Sequence, residues 1–368
     1  MAGHVLTING GSSSVKFALF ELRQQLTRKS AGSRKSQNSL DAAQQVLEWV
    51  RSQVDDKDVA AIGHRIVHGG AKHLEHTLIT KDLLRDLRRF SDVDPDHLPG
   101  EIALIEALQK SFPSVPQVAC FDTAFHRDLP TVAKLLPIPR KYFDKGVRRF
   151  GFHGLSYSYL MEELTRLAGP QAAQGRIILA HLGAGASMAA VREGKCIDTT
   201  MSFTPTAGVV MGTRSGDLDP GLFVYWMRQE KMSADELDDL VNKKSGLLGV
   251  SGVSSDMQEL LEKRGGNQHA AEAVDLFCYQ ARKWIGALAA ALGGLDTLVF
   301  SGGIGENAAE VRAQICIGLE YLGVQLDDAG NAAKEGIISK DNGPVVVRVI
   351  ATDEEIMIAK IVAGLVSK

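Results

Sequence analysis

Three glycine-rich turns are the first feature of this sequence that could do chemistry. They are "GGSSS" at 10–14, "GAG" at 183–185 and "GGIG" at 302–305. Glycine lets the backbone approach a ligand closely and turn its N–H groups towards an anion. The third turn lies between a strand pattern and a helix pattern, where the positive helix end favours phosphate. One such turn is more typical of an ordinary hairpin tip, but three together predict a bound nucleotide.

Two common nucleotide motifs do not match these turns. The stretch "GGIGEN" has Asn307 where a dinucleotide fingerprint has its last glycine, and the chain contains no GxxxxGK[ST]. The sequence therefore excludes a P-loop protein and gives no support for a dinucleotide-binding one.

Charged residues set among glycines form a second group of candidates. They are Arg65 and His68 in "GHRIVHGG", Arg148, Arg149 and His153 in "RRFGFHGLS", and Arg214, Asp217 and Asp219 in "MGTRSGDLDPG". Phosphoryl transfer is mostly positioning and electrostatic stabilisation by metal ions and fixed cations. One such segment is more typical of surface ion pairs, but three in one chain favour a phosphoryl-transfer site.

Carboxylates that could hold Mg²⁺ follow two strand patterns. Asp122 ends one strand, and Glu354 and Glu355 lie at a strand–helix turn. Mg²⁺ is usually held by one or two carboxylates together with substrate phosphates. Glutamates are also favourable at any helix N-terminus, so the spacing leaves both interpretations open.

Size and composition restrict the class of protein. A chain of 368 residues is long enough to predict two domains, and its net charge of -3 does not suggest nucleic-acid or membrane-surface binding. The four cysteines are far apart and indicate neither a disulfide framework nor a zinc site. No apolar run has bilayer length and no signal-peptide pattern is present, which predicts a cytoplasmic protein with no membrane partner.

The elements that must position these residues alternate along the chain. Strand patterns alternate with helix patterns, and each half begins with a glycine-turn hairpin, which predicts two α/β domains related by internal duplication. Small-molecule sites tend to lie between such domains. The polar and basic segment 23–39 is predicted to be a mobile surface loop.

Eight motifs in order carry a specific resemblance. They are "INGGSSSVK", "GHRIVHGG", "FDTAFH", "RRFGFHGLS", "HLGAGAS", "TPTAGVVMGTRSGDLDPG", "SGGIGEN" and "TDEEIMIAK". Together they resemble the acetate kinase family, within the actin-like ATPase and sugar-kinase superfamily, from about residue 7 to residue 360.

The resemblance implies two actin-like (ribonuclease H-like) domains with an interdomain cleft. We expect the first to comprise 1–126 and 354–368, and the second, which binds nucleotide and dimerises, to comprise 127–353. The implied activity is reversible phosphoryl transfer between ATP and acetate by a homodimer, with Mg²⁺ or alternatively Mn²⁺.

The resemblance also implies roles for individual residues. Asn9 and Glu354 would hold the metal, and Asp122, His153 and Arg214 would be catalytic. The acid would be bound by Arg65, Val67, His97, Phe152 and Pro205. The nucleotide would be bound by Ser12, Ser14 and Lys16, by His181, Leu182, Gly183, Ala184 and Gly185, by Asp256, Met257 and Gln258, and by Gly303, Ile304, Gly305, Glu306 and Asn307.

A carboxylate acceptor makes particular demands on such a site. An acid with a pKa near 4–5 is already ionised at neutral pH and needs no general base, but it must be screened from the phosphate. We therefore assign Asp122 to orienting metal or water rather than to deprotonating the substrate.

The sequence departs from the family pattern around the central charges. Ala184 replaces an asparagine of the second glycine turn, and Asp96 and Leu98 flank His97 in place of leucine and asparagine. Tyr157, Gln258 and Asp353 replace a histidine, an arginine and an asparagine, and the segment after the first hairpin is short.

Because an aspartate beside a bound carboxylate repels it, Asp96 leaves the acid unsettled. A propionate or butyrate kinase and a non-catalytic nucleotide-binding module stay open as alternatives.

Overall fold

The chain alternates strands and helices through most of its length. The computed structural model describes residues 3–10, 15–22, 26–34, 39–334 and 336–367. The strands are β1 (His4–Gly10), β2 (Val15–Glu21), β3 (Thr27–Arg34), β4 (Val59–Ile66), β5 (Thr77–Leu78), β6 (Gln117–Phe121), β7 (Arg176–Leu182), β8 (Ala186–Arg192), β9 (Lys195–Thr199), β10 (Thr297–Ser301) and β11 (Val346–Val349).

The helices are α1 (Ser39–Gln53), α2 (Lys81–Phe90), α3 (Leu98–Ser111), α4 (Thr131–Lys134), α5 (Arg140–Asp144), α6 (Gly154–Gln174), α7 (Pro220–Tyr225), α8 (Ala234–Lys243), α9 (Gly246–Ser251), α10 (Met257–Lys263), α11 (Gln268–Leu292), α12 (Gly302–Asn307), α13 (Ala309–Cys316), α14 (Asp328–Ala333) and α15 (Glu354–Val366). Short 3₁₀ turns at Asp56–Asp58, Asp122–His126 and Glu320–Leu322, and a π turn at Trp226–Glu230, complete the elements.

The chain divides into two compact units. Unit 1 comprises Met1–Arg127, Phe152–Tyr159 and Asp353–Lys368, and unit 2 comprises Asp128–Gly151 and Leu160–Thr352. The assignment of functional domains, 1–126 with 354–368 and 127–353, stays a prediction. It differs from this division mainly at Phe152–Tyr159.

Five strands of the unit 1 sheet have the same order and relative directions as the five strands of the unit 2 sheet. In unit 1 the order is β3-β2-β1-β4-β6-β5, with β1 antiparallel to β2 and parallel to β4. In unit 2 the order is β11-β10-β7-β8-β9, with β7 antiparallel to β8 and parallel to β10. Each unit thus has an antiparallel meander joined through its first strand to parallel strands. This repetition confirms the predicted α/β class with internal duplication.

Helices cover both faces of the unit 1 sheet. Along β1 and β2, alternate side chains pack against α1 and α3 on one face and against α15 on the other. Gly63 of β4 allows α15 to approach closely, because an added Cβ would lie 2.5 Å from Ile358 and Val362. The N-terminus of α15 carries Glu354 and Glu355 and lies beside Asn9, which is near the end of β1.

The prediction of a mobile surface loop at 23–39 is wrong for the central part of this segment. Residues 27–34 form β3, which pairs antiparallel with β2 along its whole length. An edge strand needs no continuous apolar pattern, because much of it faces solvent and backbone hydrogen bonds hold it in the sheet. Gly32 lies directly over the ring of Phe17, where an added Cβ would come within 2.4 Å.

Two further features concern the helices. The helix start predicted at Ser233 is confirmed as a capping box, in which Ser233 and Glu236 each accept the other's backbone N–H. Among the described residues, no helix is long and apolar enough to cross a membrane.

Candidate active site

An ion pair at the carboxyl edge of the unit 1 sheet is the centre of the candidate site. Arg65 lies near the end of β4, and Asp122 follows the neighbouring parallel strand β6 directly. Arg65 Nε and Nη2 donate to Asp122 Oδ2 at 3.0 and 2.6 Å, and Nη1 donates to the carbonyl of Gly10 at 2.5 Å. In open α/β sheets, ligands bind at this edge.

Asp122 is buried with only part of its charge compensated. Its side chain is fully buried, and Oδ1 has no hydrogen-bond partner among the described residues. Burial raises the pKa of Asp122 above its usual value, although Arg65 and the backbone N–H of His153 oppose the rise. Burial lowers the pKa of Arg65, but Asp122 and Glu354 outweigh it and raise that pKa above its usual value.

The segment before α6 brings His153 to this pair. His153 has a φ of 57°, in the left-handed region that non-glycine residues rarely adopt. Gly154 packs on the backbone of Asp122 so tightly that an added Cβ would lie 2.0 Å from the Asp122 carbonyl oxygen. Such strained backbone is concentrated at functional sites, which fits the catalytic role predicted for His153.

Substituting Gly154 by alanine tests this packing. We expect Gly154→Ala to lower both the thermal midpoint and kcat, because the 122–126 turn must shift to admit the Cβ, at a cost of about 1–3 kcal/mol. Thermal unfolding and initial rates measure the two effects. Gly265→Ala is the matched control, since no atom lies within 4 Å of its added Cβ. Wild-type stability and kcat in Gly154→Ala would contradict the packing argument.

The predicted metal ligands lie together in unit 1. Asn9 Nδ2 donates to Glu354 Oε2 at 2.8 Å and to Glu355 Oε1 at 3.2 Å. Asp353 caps α15 by accepting the N–H of Ile356, and Arg28 of β3 donates to both Asp353 oxygens at 2.5 and 2.6 Å. Two carboxylates and an amide oxygen suit Mg²⁺, which takes few protein ligands and completes its shell with phosphate and water. The donor set fits the metal.

Lys16 lies opposite Asn9, its cross-strand partner in β2, and is exposed. Paired residues of antiparallel strands place their side chains on the same face, so the predicted metal and phosphate residues are neighbours. The turn between them, with the predicted residues Ser12 and Ser14, lies outside the described residues.

Among the predicted acid-binding residues of unit 1, Val67 contacts a buried carboxyl group. Val67 and Phe152 are buried, and the Val67 N–H donates to both oxygens of Glu101 at 3.2 Å. His97 Nδ1 lies 2.7 Å from Asp94 Oδ1. Asp96, whose charge raised doubt about the acid, is exposed.

In unit 2, two glycine turns lie side by side. Strands β7 and β10 are parallel neighbours in which Ser301 pairs with His181, and each is followed by its turn. Gly302 has a φ of 75°, and its added Cβ would lie 2.7 Å from the carbonyl oxygen of Leu182. The close approach of these two turns therefore requires glycine.

A third predicted segment adjoins the first of these turns. The N–H of Gly212 donates to the carbonyl of Ala184 at 3.0 Å, and an added Cβ on Gly212 would lie 3.1 Å from the Ser255 carbonyl. Asp256 caps α10 by accepting the N–H groups of Gln258 and Glu259. The structure thus brings together the segments 181–185, 256–258 and 303–307, and nucleotide binding by them stays a prediction.

Several candidate side chains form hydrogen bonds with the backbone. Glu306 accepts the N–H groups of Gly302 and Thr352, and Asn307 donates to the carbonyl of Gly303. Similar contacts are made by other candidates: His68 with Gly70, Arg149 with Thr199, Thr200 and Met201, Arg214 with Pro205, Asp217 with Gly208, and Asp219 with Gly221. For His68, Arg149, Asp217 and Asp219, these contacts favour a structural role in ordering loops.

The comparisons with known proteins decide the family. The family model of the acetokinase family matches residues 23–360. This chain belongs to the acetokinase family. Acetate kinases of Rhodopseudomonas palustris and Bacillus subtilis are 43% and 41% identical to it, and each alignment covers 98% of this chain and 98–99% of the relative.

Solved structures of the acetokinase type share the fold. An acetate kinase of Porphyromonas gingivalis has a TM-score of 0.88 at 35% identity, covering 99% of this chain and all of that chain. A propionate kinase of Francisella tularensis has a TM-score of 0.89 at 35% identity with the same coverage.

Two residues of this candidate site were not predicted from the sequence. Glu101 lies on the buried face of α3 with Leu98, Ile102 and Ile105. A glutamate among apolar residues in helical spacing is a sequence signal from which a buried carboxyl group could have been predicted. Arg28 could not be found in this way, because its partner Asp353 lies 325 positions away in sequence.

Proposed function

We propose that this chain transfers the γ-phosphoryl group of ATP to the carboxylate of acetate and catalyses the reverse reaction. A carboxylate oxygen attacks the γ-phosphorus, the bond from that phosphorus to the β,γ-bridging oxygen breaks, and ADP leaves. The product is acetyl phosphate. The relatives named acetate kinases, which align along nearly the whole chain, support this assignment.

One observation carries the proposal. Arg65 holds the buried carboxylate of Asp122 and the carbonyl of Gly10 at the same time. The residue predicted to bind the acid is therefore fixed against the start of the predicted phosphate turn. Asn9 precedes Gly10 in the sequence and donates a hydrogen bond to Glu354. The proposed acid, phosphate and metal functions therefore converge at one sheet edge.

Asp122 suits a positioning role at this edge. Acetate is ionised at neutral pH and offers no proton to remove. Because one Asp122 oxygen accepts two N–H groups of Arg65, the carboxylate fixes the plane of the guanidinium. Guanidinium groups bind carboxylates bidentately, so its orientation determines where the acceptor oxygen lies. His153 and Arg214 are proposed to stabilise the charge of the transferring group.

A divalent cation, Mg²⁺ or Mn²⁺, is proposed at Asn9 and Glu354. When bound, it would neutralise phosphate charge during the transfer. Two hydrogen bonds within the chain orient Glu354 for this role. Asn9 donates to its carboxylate, and Asp353 caps the N-terminus of α15.

Glutamine at position 354 tests the cation site. We expect Glu354→Gln to raise the half-saturating Mg²⁺ concentration by about 10–100-fold, because a negative ligand becomes neutral. Activity titrated with Mg²⁺ at saturating ATP and acetate measures it. Glu355→Gln, which removes the neighbouring charge that also accepts from Asn9, should have a smaller effect. Equal Mg²⁺ dependence in wild type and Glu354→Gln would place the cation elsewhere.

A propionate or butyrate kinase is the second candidate. Its support is the structural similarity to a propionate kinase, whose TM-score of 0.89 is close to that of the acetate kinase. A homodimer and a cytoplasmic location, expected from the family resemblance, remain part of this proposal.

Trapping of the acyl product tests the function. Purified protein is incubated with Mg-ATP, hydroxylamine and a series of acids from formate to butyrate, and acyl hydroxamate is measured. Greatest specificity for acetate is the expected result. A preference for longer acids would support the second candidate, and no hydroxamate with any acid would support a non-catalytic nucleotide-binding module.

A further inference from the structure

Three buried carboxyl groups gather around the proposed acid site in unit 1. Asp94, Glu101 and Asp122 are 4%, 7% and 0% exposed. They come from three segments, before α3, on α3 and after β6. Asp94 and Asp122, together with Arg65 on β4, are close enough to Glu101 to act on it electrostatically. Each carboxyl group has a hydrogen-bond partner: Asp94 pairs with His97, Glu101 accepts from the N–H of Val67, and Asp122 accepts from Arg65.

These partners do not compensate three negative charges. Arg65 is directed at Asp122, and His97 is cationic only when protonated. Asp94 Oδ2 and Asp122 Oδ1 have no hydrogen-bond partner in the described part of the chain. Both oxygens of Glu101 share one backbone donor at 3.2 Å, a weak arrangement for a full negative charge. A buried charge without a counter-ion is costly, so such a group takes up a proton.

The electrostatics favour the neutral form of Glu101, and they also raise the pKa of Asp122. Burial raises the pKa of Glu101 well above its usual value, Arg65 opposes the rise, and Asp94 and Asp122 add to it. In the described part of the chain, two histidines adjoin these groups. His97 is paired with Asp94, and His68, which follows Val67, accepts from the Gly70 N–H.

We propose that Glu101 determines how this site accepts an anionic acid: the acid binds beside Arg65 while Glu101 is neutral, and binding weakens when Glu101 loses its proton. This inference rests on the proposed carboxylate-binding role of Arg65 and Val67. An ionised Glu101 adds a negative charge that repels the incoming carboxylate and competes with it for Arg65. A neutral Glu101 keeps its hydrogen bond from Val67 N–H and adds no negative charge near Arg65.

The consequence is a coupling between acid binding and proton uptake. Because the binding-competent form carries the extra proton, KM for acetate should rise with pH by up to about tenfold per unit once Glu101 ionises. Acetate binding at pH values within that range should draw protons from the buffer. The KM for ATP should lack this dependence, since the coupling acts on the acid.

Glu101→Gln is the decisive variant. The glutamine side chain is neutral at every pH and can still accept the Val67 N–H, so the local structure is kept. KM for acetate is measured from about pH 5.5 to pH 9.5, and protons taken up on acetate binding are counted by calorimetry in buffers of different ionisation enthalpy. Glu106→Gln is the matched control, because Glu106 lies on α3 and pairs with Arg88 at the surface. Asp94→Asn tests the neighbouring buried carboxyl.

The expected result is a rising KM and proton uptake in wild type and Glu106→Gln, with both effects lost in Glu101→Gln. The same pH dependence in Glu101→Gln and wild type, or its loss in Asp94→Asn alone, would overturn the inference. A wild-type KM for acetate that is flat with pH would also overturn it. A wild-type protein that phosphorylates no acid would instead refute the proposed function, so the two failures are distinguishable.

Discussion

Asparagine in place of Asp122 is expected to lower kcat/KM for acetate by about 10²–10³-fold at every pH. The amide keeps the shape of the side chain but loses the charge that fixes the Arg65 guanidinium through two N–H groups. Because Asp122 is proposed to position groups and not to remove a proton, the substitution should add no new ionisation to the pH profile. Initial rates across the pH range measure both effects.

Asp92→Asn is the control for this substitution, since it removes an exposed carboxylate of the same unit. It should have wild-type rates. Activity of Asp122→Asn that recovers selectively at alkaline pH would contradict the positioning role, because it would indicate that hydroxide replaces a missing general base.

Alanine in place of Arg65 is expected to affect both binding and stability. KM for acetate should rise by about 100-fold or more, as the charge that receives the carboxylate is lost. The fully buried Asp122 and the Gly10 carbonyl also lose their donor. Breaking a buried pair by removing one partner costs about 3–5 kcal/mol, so the urea midpoint should fall clearly.

The stability loss in Arg65→Ala should depend on pH in a defined direction. Burial already raises the pKa of Asp122, and removal of Arg65 raises it further. A carboxyl group with a raised folded-state pKa gives stability that is present at low pH and lost as the pH rises through that pKa. Urea unfolding of Arg65→Ala should therefore show less destabilisation at acidic than at neutral pH.

The double variant Arg65→Ala/Asp122→Asn separates the buried charge from the rest of the effect. We expect the double variant to recover part of the stability that Arg65→Ala loses. It should also lack the additional pH dependence of Arg65→Ala, since no ionisable group remains at either position. A double variant as unstable and pH-dependent as Arg65→Ala would show that Asp122 is not the source.

The central part of this site could be predicted because its residues end strands. Arg65 lies near the end of one buried strand and Asp122 directly follows another, and the carboxyl ends of parallel strands meet at one edge of a sheet. The convergence of the turns at 183–185 and 302–305 follows in the same way from the pairing of β7 with β10.

Side-chain direction was not predictable from the same patterns. Glu306 and Asp256 lie in the segments predicted to bind nucleotide, yet both carboxylates accept backbone N–H groups of their own turns. A motif fixes where the backbone runs, whereas the partner of each side chain depends on contacts distant in sequence. The strand within segment 23–39 was not predicted for a related reason. The hydrogen bonds that order β3 come from β2 and leave no pattern in the sequence of β3 itself.

The role of the buried residue Arg312 could not be predicted from the sequence either. Arg312 is fully buried and donates to the carbonyls of Gly305, Glu306 and Asn331, where it anchors the C-terminal end of α12. In the sequence it is an ordinary charged residue of a short helix. Its role appears only when α12, α13 and α14 are packed together.

The most direct test of the central claim is to follow the oxygen atoms. Wild-type protein is incubated with Mg-ATP and ¹⁸O-labelled acetate, and the phosphorus products are observed by ³¹P NMR. We predict acetyl phosphate with an isotope-shifted resonance from ¹⁸O in the bridge between carbon and phosphorus, formed in equal amount with ADP. ADP and inorganic phosphate without an acyl phosphate, or an acyl phosphate without the label, would contradict transfer to the acetate carboxylate.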